Sequence, residues 1–185
     1  MRNFSIGLVV VVILVVGSVI SMYNGLVSKR EFVAAKWAQV ENQLQRRNDL
    51  IPNLVNTVKG YAVHEKTVFE DIAKARSQWA DSNTVGDKVK AAGAMDSALS
   101  RLLVVVENYP VLKADQTFLG LMDELSGTEN RIAVERMRYN EAVMSYNITV
   151  KGFPGNVMAG MFGFKPATEY FKAEEKAKTV PEVKF

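Results

Sequence analysis

The sequence predicts an all-α protein: an N-terminal transmembrane helix followed by an antiparallel four-helix bundle. Three observations predict it. Residues 3–28 carry no charge. Downstream, apolar residues recur at spacings of three and four, the period of a helix that buries one stripe. No stretch alternates with period two for long enough to make a strand, and the β-branched Val104-Val105-Val106 run has helical flanks.

The anchor comes first. Residues 4–22 read FSIGLVVVVILVVGSVISM. At about 1.5 Å per residue this run matches the hydrocarbon thickness of a bilayer. A helix satisfies every backbone amide internally, as lipid requires. The rival reading is a cleaved signal peptide, with Arg2 as a basic n-region and Val19-Ile20-Ser21 as a cleavage site. The run is longer than a usual h-region and no A-x-A motif follows it, so retention is the reading adopted. Residues 1–25 are therefore assigned as anchor, 26–150 as helical bundle, and 151–185 as an apolar segment with a charged tail.

The first bundle helix continues from the anchor, with Leu26, Val33, Trp37, Val40 and Leu44 as its seam. Pro52 is expected to start a second helix, because proline suits a first turn and is costly in a helix interior. The competing possibility is a kink that fuses the two helices, since Leu44, Ile51, Leu54 and Val58 keep the spacing across the proline. The second helix carries Leu54, Val58, Tyr61, Val68 and Ile72 and ends at the turn cluster 81–86. A third, from about Asp87, carries Met95, Leu99, Leu102, Leu103 and Val106 and stops before Pro110. The fourth starts at Asp115, a fair N-cap, and runs to about Val150 along Phe118, Leu121, Leu125, Ile132, Tyr139, Val143 and Tyr146.

Beyond it, FPGNVMAGMFGF is uncharged and bracketed by Lys151 and Lys165. It is too short to span a bilayer. Capping of the bundle end, contact with the membrane interface and a partner surface all remain open for it. Phe153, Met158, Met161, Phe162 and Phe164 are its candidate interaction surface. The final stretch is charged, although Val180, Val183 and Phe185 alternate in a way that suits docking.

Composition narrows the chemistry. With no cysteine there is no thiol nucleophile, disulfide, Cys-type zinc site or lipoprotein attachment. All 20 acidic residues and every basic residue but Arg2 follow the apolar run, a small positive excess that makes no nucleic-acid patch. His64-Glu65 opens HEKTV, but a zincin needs a second histidine four residues on, where Val68 stands. His64 is the only histidine, and it reads as structural or surface. No nucleophile elbow and no phosphate-cradling glycine loop occurs. Arg46-Arg47 read as cations near a helix end. Thr128, Glu129, Asn130 and Arg131, with Asn140 and Asn147 of the repeated Tyr-Asn pairs, are expected to form a structural polar layer; a ligand cleft is the functional alternative.

The segments WAQVENQLQRRNDLIPNLVNTVKGYAVHE, VVENYPVLKA, TENRIAVERMRYNEAVMSYN and FPGNVMAGMFGFK, with Tyr23-Asn24, Ala75-Arg76 and Val180-Pro181-Glu182-Val183, resemble the LemA family over nearly all of the chain beyond the anchor. The resemblance implies a bacterial membrane-anchored four-helix bundle. It implies no catalytic activity or cofactor, and so no functional residues to carry over.

The expected function is a non-enzymatic interaction or scaffolding module without cofactors or nucleic-acid partners. The bilayer, other copies of the chain or other membrane proteins are its expected partners. A ligand sensor on the fourth helix and a lipid-binding or membrane-remodelling protein acting through the tail are the alternatives. The cell membrane, crossed once, is the expected location. Lys29, Arg30 and Lys36, partly offset by Glu31, follow the anchor, and the positive-inside rule then points the bundle to the cytoplasm.

Overall fold

The computed structural model describes residues 2–171, so the alternating Val180, Val183 and Phe185 lie outside the described residues. Among those residues the regular elements are all helices: α1 (Arg2–Lys59), α2 (Lys66–Asp81), α3 (Val85–Val106), the single turn α4 (Pro110–Lys113), α5 (Gln116–Lys151) and α6 (Gly155–Phe162). Helix α3 starts at Val85, two residues before the expected Asp87 and inside the turn cluster, and stops before Pro110; α5 begins directly after Asp115.

Helix α1 corrects one expectation. No new helix starts at Pro52; the proline lies inside α1, and the chain turns only at 60–65. A proline in a helix interior costs about 3 kcal/mol. Val40, Leu44, Ile51, Leu54 and Val58 form one stripe at alternating spacings, and each is at most 3% exposed. Burying each of these side chains is worth roughly 1.5–3 kcal/mol, so a break at Pro52 that turned part of the stripe away would lose more than it relieved. At Gly60 the helix does end. The Tyr61 and Ala62 N–H groups both reach the Val58 carbonyl, at 3.0 and 2.9 Å.

The other termini are set by local chemistry. Thr84 caps α3, its hydroxyl oxygen accepting from the Asp87 N–H at 3.1 Å while its O–H donates to the Asp87 carboxylate at 2.7 Å. Asp115 caps α5 through the Phe118 N–H at 2.9 Å and accepts from the Tyr61 hydroxyl at 2.9 Å. The Phe118 N–H first, and then Tyr61, hold the Asp115 carboxyl below its ordinary range. A depressed carboxylate stabilises the fold above its unfolded value, and that contribution is lost as pH falls through the folded one.

The chain divides into two compact units. One comprises residues up to Ala38 and Met137–Tyr170, so it contains the apolar start of α1, the end of α5 and α6. Leu26, Tyr146, Val150, Met158 and Ala159 form its core, with Val19, Met22 and Phe164 packed against them. The other comprises Gln39–Arg136 and Phe171 of the described residues. Its core joins Ile51, Leu54 and Val58 of α1 to Ile72 and Ala75 of α2, Met95, Leu99 and Leu102 of α3, and Phe118 and Leu125 of α5.

Candidate functional site

Within the first unit, α5 runs antiparallel to α1. Lys29 Nζ donates to Ser145 Oγ at 2.7 Å, and the Trp37 ring meets Tyr139 edge-on at 5.5 Å, so rising numbers on α1 pair with falling numbers on α5. The end of α5 is thereby brought to the stretch of α1 where the apolar run stops.

There the chain reverses sharply. A Cβ on Gly152 would lie 2.8 Å from the Ile148 carbonyl oxygen, and one on Gly155 only 2.0 Å from that of Thr149, so both positions require glycine. Helix α6 follows and ends at Gly163, in the left-handed region at φ 74°, with the Phe164 N–H bonded to the Ala159 carbonyl at 2.9 Å. Its inner face, Gly155, Met158 and Ala159, is buried. Its outer face is uncovered: Val157, Met161 and Phe162 are exposed, and Phe153 just before it is 85% exposed. Of the five residues proposed from sequence as a surface, Met158 thus lies in the core and Phe164 is half-buried, while Phe153, Met161 and Phe162 face outward. Tyr23 packs edge-on against Phe162 and Phe164, with centroids 5.0 and 5.8 Å away, and the Arg30 guanidinium lies 5.4 Å over Phe164. A groove of about 370 Å³ opens nearby between Met22, Leu26, Lys29, Ile148 and Phe153. Met137, Met144 and Ile148 add an exposed apolar stripe on the outside of α5.

The extended segment after α6 is clamped to α5. Asn147 is 6% exposed. Its Nδ2 donates to the Ala167 carbonyl at 2.8 Å and to the Tyr170 hydroxyl at 3.0 Å, while its Oδ1 accepts from the Ala167 N–H at 2.8 Å. Tyr146 donates its hydroxyl to the Lys165 carbonyl at 2.9 Å. Asn140 is half-buried.

The second unit holds a polar cluster centred on Arg47, which is 3% exposed. One guanidinium nitrogen donates to Asp96 at 2.5 Å and to Glu129 at 2.7 Å; Arg136 approaches the other Asp96 oxygen at 3.5 Å and lies over the Phe171 ring at 5.0 Å. An open groove of about 390 Å³ runs beside them between Leu103, Met122 and Leu125. Thr128 is buried, its hydroxyl bonded back to the Glu124 and Leu125 carbonyls of its own helix at 3.0 and 2.7 Å. Asn130 and Arg131 face solvent and do not converge with Glu129.

Sequence reasoning missed Arg47 as the partner of Glu129, and Asp96 as the carboxylate that Arg47 and Arg136 share. Arg47 was read as lying near a helix end, but α1 continues past it. The available signal was register, since Arg47 occupies the stripe position between Leu44 and Ile51. Two cations and two carboxylates meet here and offset one another in charge. His64 is exposed in the turn after α1, and among the described residues no cluster of His, Asp and Glu is placed to hold a metal ion.

These features define a class: an all-helical protein with one helix long and apolar enough to cross a membrane, and apolar surface left uncovered beside that helix. The LemA family model matches residues 36–185, and the chain belongs to that family. Among curated proteins it is similar to magnetosome proteins MamQ 1 and MamQ 2 of Paramagnetospirillum magneticum (strain ATCC 700264 / AMB-1). Each is 29% identical over 194 residues, which covers 91% of this chain and 71% of the relative. Magnetosome protein MamQ of Magnetospirillum gryphiswaldense (strain DSM 6361 / JCM 21280 / NBRC 15271 / MSR-1) is 27% identical over 175 residues, 80% of this chain and 64% of the relative.

Proposed function

We propose that this chain is a non-enzymatic interaction module tethered to a membrane by residues 4–22, and that it organises other membrane proteins or further copies of itself. The observation that carries this reading is the uncovered apolar surface of the first unit. Met137, Met144 and Ile148 on the outside of α5 are all more than half exposed, although they flank a well-packed core. Contiguous apolar surface of this kind marks an interaction site in a folded protein. The core drawn from α1, α2, α3 and α5 supports reading the second unit as an antiparallel four-helix bundle. The relatives are named for the magnetosome and not for a reaction, which also favours a role in assembly.

The test is a photo-crosslinking side chain at Met144 in the full chain, irradiated in intact membranes. The expected result is one discrete adduct, with a second copy or with a single other membrane protein. Crosslinked lipid or unmodified monomer alone would overturn the scaffold reading.

The tether crosses once with the helical units in the cytoplasm, in keeping with Lys29, Arg30 and Lys36 just after the apolar run. Asn83 is exposed in the turn between α2 and α3, and the sequence has no native cysteine to interfere. Asn83→Cys should resist an impermeant thiol reagent in intact cells and react once the membrane is permeabilised. Equal labelling in both conditions would place the units on the outer side.

A further inference from the structure

We infer that α6 is an interfacial helix whose outer face, Phe153, Val157, Met161 and Phe162, lies in the lipid leaflet next to the anchor. The inference rests on residues 4–22 crossing the bilayer, and it names lipid as what covers this part of the apolar surface.

The helix has no polar side. Its sequence is GNVMAGMF; Asn156 is its one polar side chain, and no charge occurs between Lys151 and Lys165. A helix that is apolar all round belongs in a core or in lipid. Only one face of α6 has a core, made by Gly155, Met158 and Ala159, while Val157, Met161 and Phe162 remain exposed. Their position supplies the occupant. The inner face packs with Val19 and Met22, near the end of the apolar run, and Phe162 meets Tyr23 edge-on directly after it. When residues 4–22 fill the hydrocarbon, α6 sits at the boundary between acyl chains and headgroups. There an amphipathic element buries its apolar side by about 5–10 Å, and aromatic rings such as Tyr23 and Phe162 collect. The cations fit the same plane. Arg30 follows on α1 and lies over Phe164, and the exposed Lys151 and Lys165 flank α6, placed to meet headgroup phosphates while their stems stay apolar.

Because the sequence contains no cysteine, nitroxide labels can be placed singly in the full chain. The positions are Phe153→Cys and Met161→Cys, with Val12→Cys in the apolar run and Val104→Cys on the exposed face of α3 as references. The protein is reconstituted in phosphatidylcholine–phosphatidylglycerol vesicles. Collision of each label with oxygen, which partitions into lipid, is compared with collision with a water-soluble nickel chelate. Positions 153 and 161 should resemble position 12, with an oxygen-to-nickel ratio several-fold above that at 104. A ratio equal to that at 104 would show the face bathed in water and overturn the inference. Shielding from both reagents with spin–spin broadening would show a second copy covering it, and would overturn it as well. If the label at position 12 is itself accessible to nickel, the anchor fails and the inference falls with it; if only 153 and 161 are accessible, the anchor stands and α6 alone is misassigned.

Discussion

Replacing Arg47 by methionine should destabilise the second unit by about 3 kcal/mol, because it removes the buried cation from Glu129 and leaves Asp96 with its longer contact to Arg136. Arg47 is almost fully enclosed, and it bonds both Asp96 of α3 and Glu129 of α5. It occupies a stripe position that is aliphatic elsewhere on α1, so methionine fills the space and the loss isolates the charge effect. The side chains of Asp96 and Glu129 are 25% and 49% exposed, so water takes up part of the stranded charge. That keeps the expected cost at the lower end of the roughly 3–5 kcal/mol typical of broken buried pairs. At about 2–4 °C per kcal/mol for a chain of this size, thermal unfolding should move down by about 6–12 °C. Arg47→Lys should fall between, since it keeps the charge but loses the planar fork that reaches two partners. A loss below about 1 kcal/mol for Arg47→Met would make the cluster equivalent to a surface ion pair.

The same residue shows what could be read from sequence and what could not. Class and helix content were legible because the stripes on α3 and α5 repeat at helical spacing, and because Asp115 caps α5 by local chemistry; the Thr84 cap lay unread inside the turn cluster. The family was legible because its segments are long and specific. Pro52 misled, because its cost is a local quantity of known size, whereas the gain from burying Ile51, Leu54 and Val58 depends on which surfaces meet them. Arg47 was hidden for a related reason: a charged residue on an apolar stripe reads as an irregularity until its partners are known. Asp96 lies far from it in sequence, and Glu129 was grouped with Asn130 and Arg131, which turn outward. The FPGNVMAGMFGF segment was legible as unusual. Its division into a buried Met158 and an exposed Met161 follows from helical phase, and that phase is set by the reversal at Gly152 and Gly155.

Asn147→Leu should cost about 2–3 kcal/mol, because three hydrogen bonds disappear and their partners lose the side chain that satisfied them. The leucine is similar in size and sits on a helix, so α5 should keep its helix content. The damage should appear in the segment after α6. The Ala167 N–H and carbonyl are both held by this one amide, while the Tyr146 hydroxyl stays on the Lys165 carbonyl. Hydrogen exchange at the Ala167 amide should therefore accelerate more than exchange in the middle of α5. Asn147→Asp separates the contributions, since a carboxylate still accepts from the Ala167 N–H but donates nothing to the Ala167 carbonyl or to Tyr170. Asn140→Leu, at a half-buried position, should cost less. The consequence reaches the proposed lipid-facing helix, because α6 is fixed at one end by the Gly152–Gly155 reversal and at the other by this clamp. A nitroxide at position 161 should become more mobile in the Asn147→Leu background while one at position 12 does not change. Unaltered thermal stability together with unaltered exchange at Ala167 would remove Asn147 from any structural role, and a defined small molecule found bound to its amide would reassign it as a ligand contact.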